Sequence, residues 1–247
     1  MMKYCLCLFL AAPLLFPGVA AWGDDDPYAD ARRTMVETVR RDTQATSREL
    51  RQETLGAGIL AALGAVPRHE FVPMEYRAAA YHNRPLPIGY GQTISQPYVV
   101  AVMTDLLGLK PGDRALEVGT GSGYQAAILA QLKVRVYTIE IIPALGEAAR
   151  ERLRRLGYGG VEVRVGDGYY GWREAAPFDG IVVTAAANHI PPPLIEQLKN
   201  GGRMVIPVGN PFGAQQLVVV KKDSAGRVST QKILPVRFVP LTGRHGP

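Results

Sequence analysis
The chain has 247 residues, 47% of them hydrophobic and 20% charged, which is an ordinary globular balance with length for one large core or a core plus an appendage. Its formal charge of +6 permits nucleic-acid binding, but Lys and Arg are scattered. The one cluster, Arg150 to Arg155 with interleaved Leu, is explained more simply as a solvated helix face, so no nucleic-acid partner is expected.

Lys3, the apolar stretch Tyr4 to Phe16, and small residues up to Ala21 have the layout of a secretory signal cleaved after Ala21. A periplasmic or secreted protein is expected, with no stable membrane association after cleavage. Initiation at Met35 is the alternative and leaves the protein cytoplasmic. Cys5 and Cys7 both fall within the signal, so the mature chain carries no disulfide, thiolate nucleophile or cysteine metal ligand. Removing Lys3 with the signal lowers the charge to +5. The expected divisions are 1–21 signal, 22–66 helical segment and 67–247 catalytic domain.

Asp30 to Leu63 has helical spacing, broken near Gly56 and Gly58, and reads as one long and one short helix. Residues 67 to 97 hold five prolines and read as irregular structure with a short helix around Met74 to Tyr81. The pattern then becomes regular. Helices are expected at Tyr98 to Leu107, Gln125 to Leu132, Pro143 to Leu156 and Pro192 to Leu198. Strands are expected at Arg114 to Val118, Val134 to Ile139, Val161 to Val165, Phe178 to Val183 and Arg203 to Val208. This alternation predicts an α/β fold with a Rossmann-like, doubly wound, mostly parallel sheet. Leu217 to Lys221 and Ile233 to Val239, separated by the turn Asp223 to Gly226, close it as antiparallel strands.

Within that frame the run Glu117-Val118-Gly119-Thr120-Gly121-Ser122-Gly123 is a strand ending in alternating glycines, answered by Glu140 at the end of the next strand. Taken alone, the glycines fit either a tight strand-to-helix turn or a close backbone approach to a ligand. Glu140 favours the ligand, since an acid about 20 residues on can bind ribose hydroxyls. The spacing is G-x-G-x-G, whereas a pyrophosphate binder uses G-x-G-x-x-G. An adenosine without phosphates fits better, and Glu117 suits a positive charge on it. S-adenosylmethionine, a sulfonium, meets both demands.

Ligands in such sheets lie across the carboxyl ends of the strands where strand order reverses. That rule nominates Gly119, Thr120 and Gly121, then Glu140, then Asp167 and Gly168, then Thr184. Asp167, between two glycines, either accepts from an adenine amino group or caps a turn. Thr184-Ala185-Ala186 leaves a roomy, weakly polar wall, without the [D/N]-P-P-[Y/F] of methyltransferases acting on nitrogen. In Gly91-Gln92-Thr93-Ile94-Ser95-Gln96-Pro97, Ser95 has the position of a helix cap, which leaves the upstream residues unexplained.

Here the chain resembles the protein-L-isoaspartate O-methyltransferase family. The likeness is carried by Pro67-Arg68-His69-Glu70-Phe71-Val72-Pro73, Gly91 to Pro97, Glu117 to Ala127, Gly166 to Gly168, Val183 to Ala186, Gly201 to Gly209 and Val239-Pro240-Leu241-Thr242. The Thr-Ile-Ser-x-Pro segment is the most specific of these. The resemblance implies methyl transfer from S-adenosylmethionine to the free carboxylate of isoaspartyl residues in damaged proteins and peptides. A monomer is expected, though the residues themselves do not fix oligomeric state. The resemblance also implies Ser95 as the active-site residue, with Thr93 and Ile94 lining the space between cofactor and substrate. Glu117, Gly119, Glu140, Asp167, Gly168 and Thr242 are implied to hold the cofactor, while Pro207 and Val208 offer backbone groups to the peptide. The exported N-terminus departs from the family's common cytosolic form.

The chemistry is consistent with those residues. A carboxylate is already ionised at neutral pH, so no general base is required. The task is to hold an oxygen in line with the methyl and exclude water. His69, His82, His189 and His245 lack ligand spacing, and no metal is expected. The competing readings are another Rossmann enzyme, a methyltransferase of another carboxylate, and an exported binder of damaged peptides without turnover.

Overall fold
The computed structural model describes residues 26–210 and 213–243, so the proposed signal at 1–21 lies outside the described residues. The centre of the fold is a seven-stranded sheet. Its strands are β3 (Arg114–Val118), β4 (Arg135–Glu140), β5 (Glu162–Val165), β6 (Phe178–Val183), β7 (Leu198–Gly209), β8 (Gln215–Lys222) and β9 (Val228–Val236), in the order β5-β4-β3-β6-β7-β8-β9. The pairings from β5 to β7 are parallel, and β7 to β8 and β8 to β9 are antiparallel. The chain runs outward from β3 through β4 to β5, then returns to β6 on the other side of β3. Strand order therefore reverses between β3 and β6.

Alternation along the strands builds two cores. Ala115, Val136, Val182, Val205 and Val219 face one side, with α1 (Ala29–Ala45), α3 (Ala57–Ala65), α4 (Pro97–Leu107) and α5 (Tyr124–Gln131). Leu116, Val118, Ile181, Val183, Met204 and Ile206 face the other, against Leu194 of α7 (Pro192–Gln197). Leu153 of α6 (Pro143–Arg155) joins the first core. In α1 the buried residues Arg32, Met35, Val39 and Thr43 recur at helical spacing, so one stripe packs inward and the Arg-rich remainder is solvated. The N-terminal helices and the sheet thus share a core.

Several elements differ from the sequence expectation. The segment before α3 contains a separate turn of helix, α2 (Ser47–Leu50), closed by Arg51 in a left-handed conformation at φ 57. The expected helix around Met74 is a 3₁₀ helix, Met74–Ala79. Strand β7 begins five residues earlier than expected because Leu198 pairs with Phe178 of β6, and β9 is displaced toward the N-terminus because residues 228–232 pair with β8 regardless of modest hydrophobicity. The stretch read as irregular contains a hairpin, β1 (Leu86–Gly89) and β2 (Gln92–Ile94). Its two-residue turn places Tyr90 at φ 53 and Gly91 at φ 69, the handedness that lets a tight hairpin follow strand twist.

Candidate active site
The glycine turn after β3 lies at the reversal point, and its packing explains its composition. A Cβ on Gly119 would come within 2.4 Å of Thr184 Oγ1, and the residue holds φ +96. Thr184, the first residue after β6, donates its hydroxyl to the Gly119 carbonyl at 2.6 Å, with the Val118 carbonyl also near at 3.0 Å. These contacts join the ends of the two diverging strands. Glu140, at the end of β4, is buried; its Oε2 accepts from the Gly121 amide at 2.7 Å and its Oε1 from the Ile142 amide at 3.0 Å. The carboxylate fixes the turn and keeps unshared lone pairs for further donors.

A narrow cleft results. Gly119, Gly121, Glu140, Gly168, Thr184 and Thr242 line it together with Thr93. Thr242 arrives because the tail is tied to the sheet: the Ala186 amide donates to the Val239 carbonyl and the Leu241 amide to the Ala186 carbonyl, each at 2.8 Å. Beneath the cleft, a small cavity of about 40 Å³ is lined by Thr93, Ile94, Ser95, Glu117, Gly119, Thr120 and Thr184, among others. The Thr120 hydroxyl is engaged with Thr138 Oγ1 at 2.6 Å.

Glu117 is the electrostatic centre. It is 0% exposed, and neither carboxylate oxygen has a hydrogen-bond partner. Burial pushes its pKa up to about 8, opposed by the Thr138 hydroxyl and the Ala126 amide and reinforced by the charge of Glu140. A buried acid without a partner is costly unless a ligand supplies a cation or donor. Glu140 in the cleft and Glu117 in the adjoining cavity place two acids at the site, which also disfavours phosphate. The residues present therefore fit an adenosyl group with a positively charged tail.

On the far side of Thr93 opens a groove of about 620 Å³. Its walls are the end of α1 with Asp42 and the adjoining Thr46, the start of α4 with Tyr98, and residues 234–239, which are the end of β9 and the three residues after it. Ser95 and Thr93 border both this groove and the inner cavity, so they stand at the junction of a large opening and a small one. Among the described residues no hydrogen bond from the Ser95 hydroxyl is seen. The capping role open to Ser95 belongs elsewhere: Asn83 Oδ1 accepts from the Tyr98 amide at 2.9 Å, held in turn by Asp42 at 2.5 Å.

Two expected sites lie apart from these openings. Asp167 Oδ1 accepts from the Tyr169 amide at 3.0 Å and caps the 3₁₀ turn Gly168–Tyr170, while a Cβ on Gly243 would meet its carboxylate at 2.6 Å. Its carboxylate is thus placed as a turn cap beneath the tail. Pro207 and Val208 line neither cleft nor groove; the Pro207 carbonyl receives the Ala187 amide at 3.1 Å. Val239, three residues beyond β9, borders both openings instead. His189 approaches Tyr169 through Nε2 at 3.2 Å, and among the described residues no His, Cys, Asp and Glu cluster of metal-binding size occurs.

Sequence reasoning gave no role to Arg68, although it lies in the Pro67 to Pro73 motif. It is wholly buried and donates to the Ser95 carbonyl at 2.8 Å. The sequence offered no clear signal, since Arg68 stands beside His69 and Glu70 in a polar run that reads as solvated.

The chain is similar to known proteins over most of its length. Protein-L-isoaspartate O-methyltransferase 2 of Syntrophobacter fumaroxidans is 63% identical over 228 residues, covering 92% of each chain. Protein-L-isoaspartate O-methyltransferase 1 of Cupriavidus necator is 59% identical over 221 residues, covering 90% of this chain and 85% of its own. A solved protein-L-isoaspartate O-methyltransferase, 29% identical, superposes with a TM-score of 0.74 over 87% of this chain and 67% of its own. A solved Plasmodium falciparum protein described as a putative member, in complex with S-adenosyl-L-homocysteine, shares the fold at 23% identity, with a TM-score of 0.69 over 85% of this chain and 98% of its own. Residues 42–246 match the family model described as protein-L-isoaspartate(D-aspartate) O-methyltransferase, a span that takes in the end of α1, the hairpin, the glycine turn and the tail. The chain belongs to the protein-L-isoaspartate(D-aspartate) O-methyltransferase family.

Proposed function
We infer that this protein transfers a methyl group from S-adenosylmethionine to the free carboxylate of L-isoaspartyl residues in damaged proteins and peptides, the first step of their repair. The observation that carries the reading is the junction at Thr93 and Ser95, where a groove wide enough for several peptide residues meets an acid-lined cleft. S-adenosylmethionine, when bound, supplies an electrophilic methyl on a sulfonium. Glu117 would pair with the positive tail, Glu140 would receive ribose hydroxyls, and Gly119 and Gly121 would let the backbone lie against the adenosine. The acceptor carboxylate enters from the groove already ionised, so Ser95 orients it by donating its hydroxyl and removes no proton. Such orientation is worth up to roughly 7–11 kcal/mol in favourable systems. Radiolabelled methyl transfer to an isoaspartyl peptide, with the normal aspartyl peptide as control, tests the reading; label on the isoaspartyl peptide alone supports it, and label on both or neither rejects it.

The same reading extends to location. The Lys3, Tyr4–Phe16 and Ala20–Ala21 pattern supports export and cleavage after Ala21, giving a periplasmic or secreted enzyme. Initiation at Met35 fits less well, since it would remove Tyr28, which stacks on His69 at 4.0 Å, and the buried Arg32, which is paired with Asp26. Mass spectrometry of the native N-terminus distinguishes a chain starting at Trp22 from one starting at Met35.

A further inference from the structure
We propose that Arg68 is a positioning residue for methyl transfer, fixing the backbone of Ser95 so that its hydroxyl meets the acceptor carboxylate. The proposal rests on Ser95 acting on that carboxylate, as inferred above.

Arg68 is among the largest fully buried side chains of the described residues and faces no carboxylate in an ion pair. Its charge is spent on main-chain oxygens. Nε donates to the Ala80 carbonyl at 2.8 Å, and Nη2 donates to the Ser95 carbonyl at 2.8 Å, with the Arg84 carbonyl at 3.5 Å. These three carbonyls come from separate places: the end of the Met74–Ala79 turn, the strand entry before β1, and the residue directly after β2. One guanidinium thus clamps both feet of the β1–β2 hairpin, whose Thr93 borders every opening of the site. The guanidinium also lies over the Tyr124 ring, 4.8 Å from its centroid, and Tyr124 opens α5 directly after the glycine turn. Hairpin, serine and glycine turn are therefore referred to a single rigid group.

Three features separate this arrangement from ordinary core packing. A buried cation is unfavourable without compensation, and burial lowers Arg68 only to about 10, so it stays charged at neutral pH. Its Nη1 makes no well-formed hydrogen bond, and the side-chain group acting on the guanidinium is Tyr124 at the start of α5, so no carboxylate balances the buried charge. Finally, Ser95 is the hinge between β2 and α4 and has neither strand pairing nor helix bonds to hold its carbonyl. A lysine would retain charge but lacks the planar fork that reaches several carbonyls at once.

The test is a double-mutant cycle of Arg68→Lys with Ser95→Ala, with Arg68→Gln as a second single variant. Turnover is expressed per cofactor-binding site, counted by calorimetry with S-adenosylhomocysteine, so that misfolded material is not scored. The expected result is a loss in kcat of about 10- to 100-fold for Arg68→Lys, of the size that small misplacements of reacting groups produce. KM for the peptide and affinity for S-adenosylhomocysteine should change by less than about threefold. In the Ser95→Ala background the same change should cost little, because no hydroxyl remains to be aimed. An undiminished cost there, or a normal per-site kcat in both Arg68 variants with only a lower melting temperature, would overturn the proposal. A Ser95→Ala enzyme with full kcat would instead overturn the serine reading, and the Arg68 proposal with it.

Discussion

Glu117 has most to gain from a cationic ligand, and its burial makes the consequence measurable. With its pKa pushed up to about 8, the carboxyl is roughly 90% protonated at pH 7 before any ligand arrives. Pairing with the ammonium of the donor requires the ionised form, so binding must expel that proton. The apparent Kd then scales as one plus the ratio of protonated to ionised acid, which is about 100 at pH 6 and about 1 at pH 8. Affinity should therefore tighten about 50-fold from pH 6 to pH 8, or about 2.3 kcal/mol. The sign for stability is opposite in the free protein. A raised carboxyl favours the fold fully below its ordinary pKa near 4.5 and loses that contribution as pH rises through about 8, where ligand then stabilises most. The assay is calorimetry with S-adenosylhomocysteine at pH 6, 7 and 8, each in two buffers of different ionisation enthalpy, which reads proton release directly. Nearly one proton should leave at pH 7. Glu117→Gln should bind weakly with no pH slope and be more stable than the parent at pH 8 without ligand. A flat pH profile with no protons released by the unmodified protein would refute the reasoning.

Three other outcomes are expected. Ser95→Ala should lower kcat about 100-fold while cofactor affinity stays within about threefold, read by turnover and calorimetry, because its hydroxyl faces the acceptor side; equal losses in both would reject that role. Gly119→Ala should abolish S-adenosylhomocysteine binding, since a methyl would sit 2.4 Å from Thr184 Oγ1 at a φ of +96; wild-type affinity would show that the turn yields. A chain begun at Met35 should melt about 5–10 °C below one begun at Trp22, from losing the Tyr28–His69 stack and the buried Arg32 at about 2–4 kcal/mol together; coincident melting curves would count against the structural role of 26–34.

The parallel sheet was legible because strands such as Phe178 to Val183 are short apolar runs ended by small residues, and the reversal rule then named Gly119, Glu140 and Thr184 without further information. The β1–β2 hairpin was not legible, since Pro85 and Pro87 read as punctuation and the turn depends on Tyr90 taking a positive φ. Ser95 carried a cap's sequence position, but the capping oxygen comes from Asn83, thirteen residues earlier than the α4 cap residue Gln96, through contacts that only the tertiary fold creates. Arg68 was illegible for a related reason: arginine reads as solvated, and only coordinates reveal three carbonyls converging on it. Asp167 had two readings, and its carboxylate caps a turn.

The central claim is that a methyl crosses from the acid-lined cleft to a carboxylate held beside Ser95. Incubating the protein with methyl-labelled S-adenosylmethionine and an isoaspartyl peptide, then locating the label by tandem mass spectrometry, addresses it directly. The account predicts one methyl ester on the free carboxylate of the isoaspartyl residue and none on aspartate, glutamate or the C-terminus of the same peptide. Label at those other carboxylates, or a peptide left unmethylated by protein that binds S-adenosylhomocysteine, would contradict it.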